Sequence, residues 1–237
     1  MSINDYLLIF SRSFLFVLAT LLPIVNPPAV APIFLTMTEG ASSATRKLLA
    51  KRIAINVFIM LTLAALFGNM VLRFFGISLP IVRVGGGLLV VASAWQLVNA
   101  KDPDTDAHEK LVEDYSQDKV KASAFYPLTF PIACGPGSIS AAITVGASFD
   151  FISAAAGVMS VTGMILAVIS VSAILFFCLR FAARFLARLG KSGTAVFMRL
   201  SAFILLCIGV QIMWDGAHEL IMRLYADISS TYSRTTL

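Results

Sequence analysis

The first long apolar run of the chain ends in a stretch, residues 23–32, that contains four prolines. Each proline removes a backbone N–H donor and obstructs the preceding helical turn, which costs roughly 3 kcal/mol or more inside a helix. A continuous helix is therefore not expected here. Backbone without hydrogen bonds cannot face hydrocarbon, so a break at membrane depth has to be buried in protein or line an aqueous cavity.

A second stretch rich in proline and glycine, residues 127–138, repeats this feature in the other half of the chain. Together the two stretches contain seven of the nine prolines. Asn26 before Pro27, and Gly135 before Pro136, each place an acceptable N-cap residue ahead of a proline at the first helical position. The sequence therefore predicts two half-helices that begin inside the membrane.

Composition identifies the class of protein. Apolar residues make up 58% of the chain and charged residues 13%, and the mean hydropathy is +0.88, whereas soluble domains have roughly 25% charged residues. A soluble protein with a buried helical core is excluded, because the long apolar runs leave too little polar surface to cover it. The N-terminus lacks the basic region of a signal peptide, so we expect the first run to remain as a spanning helix.

Windows of about 20 apolar residues, the length that crosses a ~30 Å hydrocarbon core, predict six spanning segments. These are residues 6–25 with a broken continuation to Met37, 53–72, 80–99, 122–147 with its own break, 151–179 and 196–216. The third and sixth segments have short apolar cores, residues 84–98 and 200–214, and each core follows an arginine, Arg83 or Arg199, that we expect to snorkel to the membrane interface.

The order of segments predicts an internal repeat. Each half reads as a broken segment, a long helix and a short helix that starts with arginine. Three crossings precede the linker, so the second half enters the membrane in the opposite orientation, a plan found in secondary transporters. We predict an all-α integral membrane protein of two inverted three-helix repeats. The boundaries are 1–100 for the first repeat, 101–121 for an acidic linker, 122–223 for the second repeat and 224–237 for a tail.

The distribution of Lys and Arg predicts the orientation. The net charge of +5 indicates topology rather than nucleic-acid binding, because the basic residues cluster in the first, third and fifth connections. The positive-inside rule places these connections in the cytoplasm and both termini in the periplasm. The linker contains a D-x-D-x-D run, but it lacks the glycine and terminal glutamate of an EF-hand loop, so we interpret it as a solvated connector.

The two breaks supply the chemistry for a small ligand. A helix N-terminus carries about half a positive elementary charge and free backbone donors, which suit a carboxylate without any basic side chain. Asn26, Ser138 and Ser140 add neutral polar groups, and glycine lets backbone approach a ligand closely. The candidate substrate-binding residues are Asn26, Pro27, Pro28, Gly135, Pro136, Gly137, Ser138 and Ser140. The alternative is that these prolines and glycines only kink helices and improve packing.

No arrangement for catalysis is found at membrane depth: neither Ser-His-Asp, nor H-E-x-x-H, nor paired carboxylates. We therefore expect no enzymatic activity, no cofactor and no catalytic or metal site. The three cysteines, an odd number, all lie in apolar runs and indicate neither disulfides nor a metal cluster. No Asp, Glu, Lys or His falls in the middle of a spanning segment, so no proton carrier is identified; sodium held by carbonyls of the broken helices stays open.

The chain resembles the MarC family of bacterial inner-membrane proteins. The motifs that carry the resemblance are Asn26-Pro27 with Pro32-Ile33-Phe34, Phe75-Gly76-Ile77 with Arg83-Val84-Gly85-Gly86-Gly87, Pro127-Leu128 with Pro131, Gly135-Pro136-Gly137, and Gly209-Val210-Gln211. The resemblance implies a six-helix protein of the inner membrane with periplasmic termini. It also implies transport of small neutral amino acids such as alanine, glycine or serine.

The leading hypothesis is a secondary transporter that exports small neutral amino acids by alternating access around the two half-helix starts. One alternative is a passive channel for small solutes, whose flux would not saturate or show counterflow. Another is a membrane scaffold that binds a partner protein and whose breaks serve packing alone. The expected partners are the lipid bilayer and the amino acid, but not nucleic acid; the oligomeric state, a homo-oligomer included, stays open.

Overall fold

The computed structural model describes residues 3–38, 40–99, 124–149 and 154–235, and within these ranges the regular structure is entirely helical. The helices are α1 (Ile3–Val25), α2 (Pro27–Met37), α3 (Ser43–Phe74), α4 (Leu79–Val98), a π-helical segment (Leu128–Ala133), α5 (Pro136–Ala147) and a final run, Ala154–Thr235. Gly190 interrupts this run with φ 68° and ψ 177°. It divides the run into α6 (residues 154–189) and α7 (residues 191–235).

Five stretches of the described residues are long and apolar enough to cross a membrane: Asn4–Met37, Ser43–Phe74, Leu79–Val98, Ala155–Gly190 and Ser192–Ala226. The all-helical membrane fold is thus confirmed. The predicted fourth segment is not among the five, because it is divided into the π-helical segment and α5, which has 12 residues. A sixth crossing and the inverted repeat therefore stay predictions.

Several helices are longer than the apolar segments that predicted them. α3 begins at Ser43 rather than near residue 53, and α7 continues through the described part of the predicted tail. Hydropathy windows end at the first charges, whereas Arg and Lys are good helix formers and extend a helix into water. The N-terminus of α3 is capped by Ser42, whose hydroxyl oxygen accepts a hydrogen bond of 3.1 Å from the Thr45 N–H. The predicted linker, residues 101–121, lies outside the described residues.

Large apolar side chains cover the outside of the molecule. Phe74 is 83% exposed, and Leu15 and Leu88 are more than half exposed, while Leu21, Leu61 and other aliphatic side chains form a buried core. Such extensive apolar exposure is not tolerated by a soluble monomer. The exposed side chains therefore mark the lipid-facing surface.

Glycines bring α4 and α7 into close contact. A Cβ atom on Gly87 would lie 2.6 Å from the backbone nitrogen of Met213, and one on Gly209 would lie 2.8 Å from that of Val91. A Cβ on Gly216 would lie 2.7 Å from the Pro80 carbonyl oxygen. As the residue numbers of the contact positions increase along α4, those of their partners decrease along α7, so the two helices run antiparallel. This is the relationship expected between the third helices of two inverted halves.

An ion pair joins the same two helices near the start of α4. Arg83 Nη1 lies 2.6 Å from Glu219 Oε2, and the other oxygen of Glu219 accepts from Arg223 at 2.7 Å. Both Arg83 and Glu219 are partly buried. Rather than snorkelling alone to the interface, Arg83 has a carboxylate partner from the other half of the chain.

Candidate substrate site at the two helix breaks

Asn26 forms the first break, between α1 and α2. Its backbone is left-handed, with φ 47° and ψ 59°. Its N–H donates to the Leu22 carbonyl (3.0 Å), and its own carbonyl accepts from the N–H groups of Ala29 (3.0 Å) and Val30 (3.2 Å). A left-handed residue commonly closes a helix, and after glycine Asn tolerates this conformation best. Asn26 thus ends α1 and starts α2, which confirms the predicted half-helix start.

The first break lacks the free backbone N–H donors that were expected at the start of α2. Pro27 and Pro28 have no N–H, and the next two N–H groups are already bonded to the carbonyl of Asn26. The side chain of Asn26 makes no capping hydrogen bond and is partly exposed. The polar group that the first break presents is therefore a side-chain amide rather than a set of backbone donors.

The second break provides the backbone donors that the first lacks. Gly135 is the extended N-cap of α5 (φ −83°, ψ 179°) and Pro136 is its first residue, as predicted. The N–H groups of Gly137 and Ser138 lack intrahelical acceptors, and they make no turn or capping bond with the described backbone. The hydroxyl of buried Ser138 lies beside them on the same helical turn. These N–H groups are donors of the kind that a carboxylate accepts from.

Two of the predicted site residues also pack against α4. Ser140 donates its hydroxyl proton to the Val82 carbonyl at 2.9 Å and lies against Gly86. A Cβ on Gly137 would overlap the side chain of Val90. Gly137 is thus required for helix packing whatever else it does. A substrate contact by Ser140 stays a prediction. Because the hydroxyl proton is donated to Val82, the Ser140 oxygen could only accept a hydrogen bond from the substrate.

The two broken segments contact each other. The helix after the first break, α2, contacts the π-helical segment before the second break; the helix before the first break, α1, contacts α5 after the second. Val25, Val30, Ala133 and Cys134, which flank the breaks, belong to the same buried cluster. Buried residues thus flank both interruptions, although Asn26 is partly exposed and Pro136 is exposed.

A polar chain that the sequence did not predict connects α3 to the second break. Asn56 Nδ2 donates to Thr129 Oγ1 at 3.2 Å, and Thr129 donates in turn to the Ala124 carbonyl at 2.6 Å. Thr129 is completely buried, and its carbonyl accepts from the Cys134 N–H at 2.8 Å. The signal available in the sequence was an Asn inside an apolar segment, which in a membrane calls for a polar partner.

A separate cavity of about 240 Å³ lies between the C-terminal ends of α3 and α5 and the first turns of α6. Its lining residues are Ala65, Leu66, Asn69, Met70, Arg73, Gly146, Phe149, Val161 and Met164. It includes none of the eight predicted site residues. In the described part of the chain, no group of three or more His, Cys, Asp or Glu side chains is placed to hold a metal ion.

Membrane-length helices and a lipid-facing apolar surface define a polytopic integral membrane protein. The family profile described as "MarC family integral membrane protein" matches residues 11–221, and the chain belongs to this family. It is 31% identical to the UPF0056 membrane protein YvbG of Bacillus subtilis, over 84% of this chain and 92% of the relative. It is 33% identical to the UPF0056 inner membrane protein MarC of Citrobacter koseri, over 86% and 93%. No solved structure matches the chain.

Proposed function

We propose that this protein is a secondary transporter that exports small neutral amino acids by alternating access around the starts of α2 and α5. The observation that carries the proposal is the paired break: two helices start at prolines, buried residues of one core cluster flank both starts, and each broken segment contacts the other. Discontinuous helices that meet in this way form the substrate sites of many transporters.

The groups at the two breaks suit a zwitterion. The substrate carboxylate would accept from the N–H groups of Gly137 and Ser138, where the dipole of α5 favours negative charge. The substrate ammonium would face the carbonyl end of α1, which has the opposite partial charge, beside the side-chain amide of Asn26. Val25 and Val30 are buried next to this break, which favours a substrate with a small side chain.

An inverted repeat with six crossings is part of the proposal. The antiparallel packing of α4 on α7 supports it. So does the reciprocal contact of the two broken segments, in which the part before one break meets the part after the other. Alternating access would then be a movement of one half against the other around the site.

Counterflow in liposomes tests the proposal. Protein is reconstituted into vesicles loaded with unlabelled alanine, and uptake of labelled alanine, glycine and serine is measured. Asn26→Gly removes the amide but keeps a residue that tolerates left-handed backbone, whereas Asn26→Ala also strains the chain. Gly135→Leu adds bulk at the second break. Gly85→Leu is its matched control, because a Cβ on Gly85 meets no atom within 4 Å.

We expect saturable counterflow in the wild type and in Gly85→Leu, with at least tenfold loss in Asn26→Gly and Gly135→Leu. Normal counterflow in Asn26→Gly together with loss in Asn26→Ala would assign Asn26 a purely backbone role. Flux that neither saturates nor shows counterflow would indicate a channel. No flux of the three amino acids from correctly inserted protein would reject the proposed substrate class.

A further inference from the structure

The end of α6 carries a row of arginines. Arg180, Arg184 and Arg188 follow one another at intervals of four residues, so they lie along one side of the helix, and all three are exposed. The ion pairs found among the described residues, Arg83 and Arg223 with Glu219, include none of them. The sequence contains no Asp or Glu between Asp150 and Asp215, so neither α6 nor the facing part of α7 supplies one.

The position of these arginines along α6 coincides with the edge of the membrane. Residues 154–179 carry no charge and are about 39 Å long at ~1.5 Å per residue, somewhat more than the ~30 Å hydrocarbon core. Arg180 is the first charge after this run, and Arg184 lies about 6 Å further along the axis. We therefore expect both guanidinium groups to lie at the level of the lipid headgroups.

Phenylalanines alternate with the arginines and give the surface an apolar component. Phe177, Phe181 and Phe185 are 43–56% exposed. The guanidinium carbons of Arg180 and Arg184 each lie 5.8 Å from the centre of the Phe181 ring, and the rings of Phe177 and Phe181 are stacked. Contact with an aromatic ring holds a guanidinium in place without neutralising its charge.

The opposite side of this part of α6 is fixed to the protein. Leu175, Leu179 and Ala182 are buried. Beyond Gly190 the chain folds back, since the rings of Phe185 and Phe197 are 5.5 Å apart although twelve residues of continuous helix would separate them by about 18 Å. The arginines are thus presented by a rigid helical hairpin rather than by a loop.

We propose that this surface, Arg180 and Arg184 with Phe177, Phe181 and Phe185, is a binding site for anionic phospholipids. The guanidinium groups bind the phosphodiester, for which their planar forked geometry is suited, and the phenylalanines contact the upper acyl chains. If the arginines served only to orient the chain in the membrane, their positive charge would be sufficient and the ordered contacts with phenylalanine rings would not be needed. The inference is independent of transport, because it uses only the lipid-facing side of α6.

The test measures lipid binding by the purified full-length protein in detergent, where membrane orientation plays no part. Dioleoyl-phosphatidylglycerol, dioleoyl-phosphatidylcholine and free sn-glycerol 3-phosphate are added separately. Thermal unfolding gives the Tm, and native mass spectrometry counts bound lipids. The variant is Arg180→Gln/Arg184→Gln. Lys47→Gln/Lys51→Gln on α3 is the matched control, since it removes two other exposed positive charges.

We expect phosphatidylglycerol to raise the Tm by about 3–6 °C and to remain bound in the mass spectrum. This shift should fall to the phosphatidylcholine value in the arginine variant and persist in the lysine variant. The single variant Arg184→Gln, which changes only one residue, should lose about half of the rise in Tm that phosphatidylglycerol causes.

Three results would overturn the proposal. The first is an equal shift with both lipids in the wild type. The second is a full phosphatidylglycerol shift in the arginine variants. The third is an equal shift with free glycerol phosphate, which would indicate an anion site that does not require a membrane.

Discussion

At the scale of the residue, the two helix starts are unequal although their sequences look alike. The backbone N–H and carbonyl of Asn26 are hydrogen-bonded to the helices that end and start there, so only its side chain is left to contact a ligand. Gly135 has no side chain, and the polar groups come instead from the N–H groups of the two residues after Pro136. A zwitterion has two unlike ends, and an unequal pair of breaks distinguishes them.

Asn56 provides a prediction at the same scale. Asn56→Ala removes a hydrogen bond to a buried hydroxyl, at a cost of about 0.5–1.5 kcal/mol. We expect its Tm in detergent to fall by about 2–4 °C, and we expect counterflow to fall further than stability alone explains, because Thr129 lies in the π-helical segment. Asn99→Ala is the control, since that side chain is exposed and bonds the Trp95 carbonyl of its own helix. An equal Tm for the two variants would show that the hydrogen bond of Asn56 to Thr129 does not stabilise the protein.

Local chemistry explains which residues could be predicted. The helix starts at Pro27 and Pro136 follow from the conformational limits of proline and from the capping residue before it. Both are adjacent in the sequence, so the starts could be predicted from it. The Asn56–Thr129 bond joins residues 73 positions apart, and no local pattern specifies which helix faces which. The missing donors at Pro27 and Pro28 were visible in the sequence, because proline carries no N–H.

At the scale of the element, three consecutive glycines in α4 have different surroundings. Gly85 faces open space, whereas Gly87 faces the backbone of α7. Small residues let membrane helices approach closely, and added side chains force them apart. We expect Gly87→Leu to separate α4 from α7 and lower the stability by about 1–3 kcal/mol, while Gly85→Leu should be nearly neutral.

Thermal unfolding and gel filtration of the two variants measure this difference. The substitution is identical and the positions are two residues apart on one helix, so helix propensity and added apolar bulk are matched. A similar loss in both would show that the contact of Gly87 with α7 does not determine the stability of the pair.

Element lengths were less predictable than element types. The sequence located the apolar part of each spanning helix well, and α4 agrees with its predicted range to within one residue at each end. The extensions of α3 and α7 were missed because hydropathy reports the surroundings of a helix rather than its hydrogen bonding. The π-helical segment was also missed, since prolines predict an interruption without specifying the geometry that follows.

At the scale of the whole molecule, the positive-inside rule predicts opposite exposure for alternate connections. Single cysteines at Ser43 and Ser192 should be protected from a membrane-impermeant maleimide in intact cells, and those at Ile77 and Ser148 should react. All four positions are exposed on the protein. The background has Cys134, Cys178 and Cys207 replaced by alanine. Reaction at Ser43→Cys together with protection at Ile77→Cys would reverse the orientation, and uniform reaction would contradict a single topology.

The one-residue connection at Gly190 has a mechanical consequence. α6 leans on α1 through Gly163, where a Cβ would lie 2.7 Å from the Phe10 carbonyl oxygen, and α7 leans on α4 through Gly209. A long loop between them would have slack and would absorb a displacement of either helix. A single glycine has almost none, so we expect a tilt of α6 to displace α7 as well. We therefore expect the last two helices to move together.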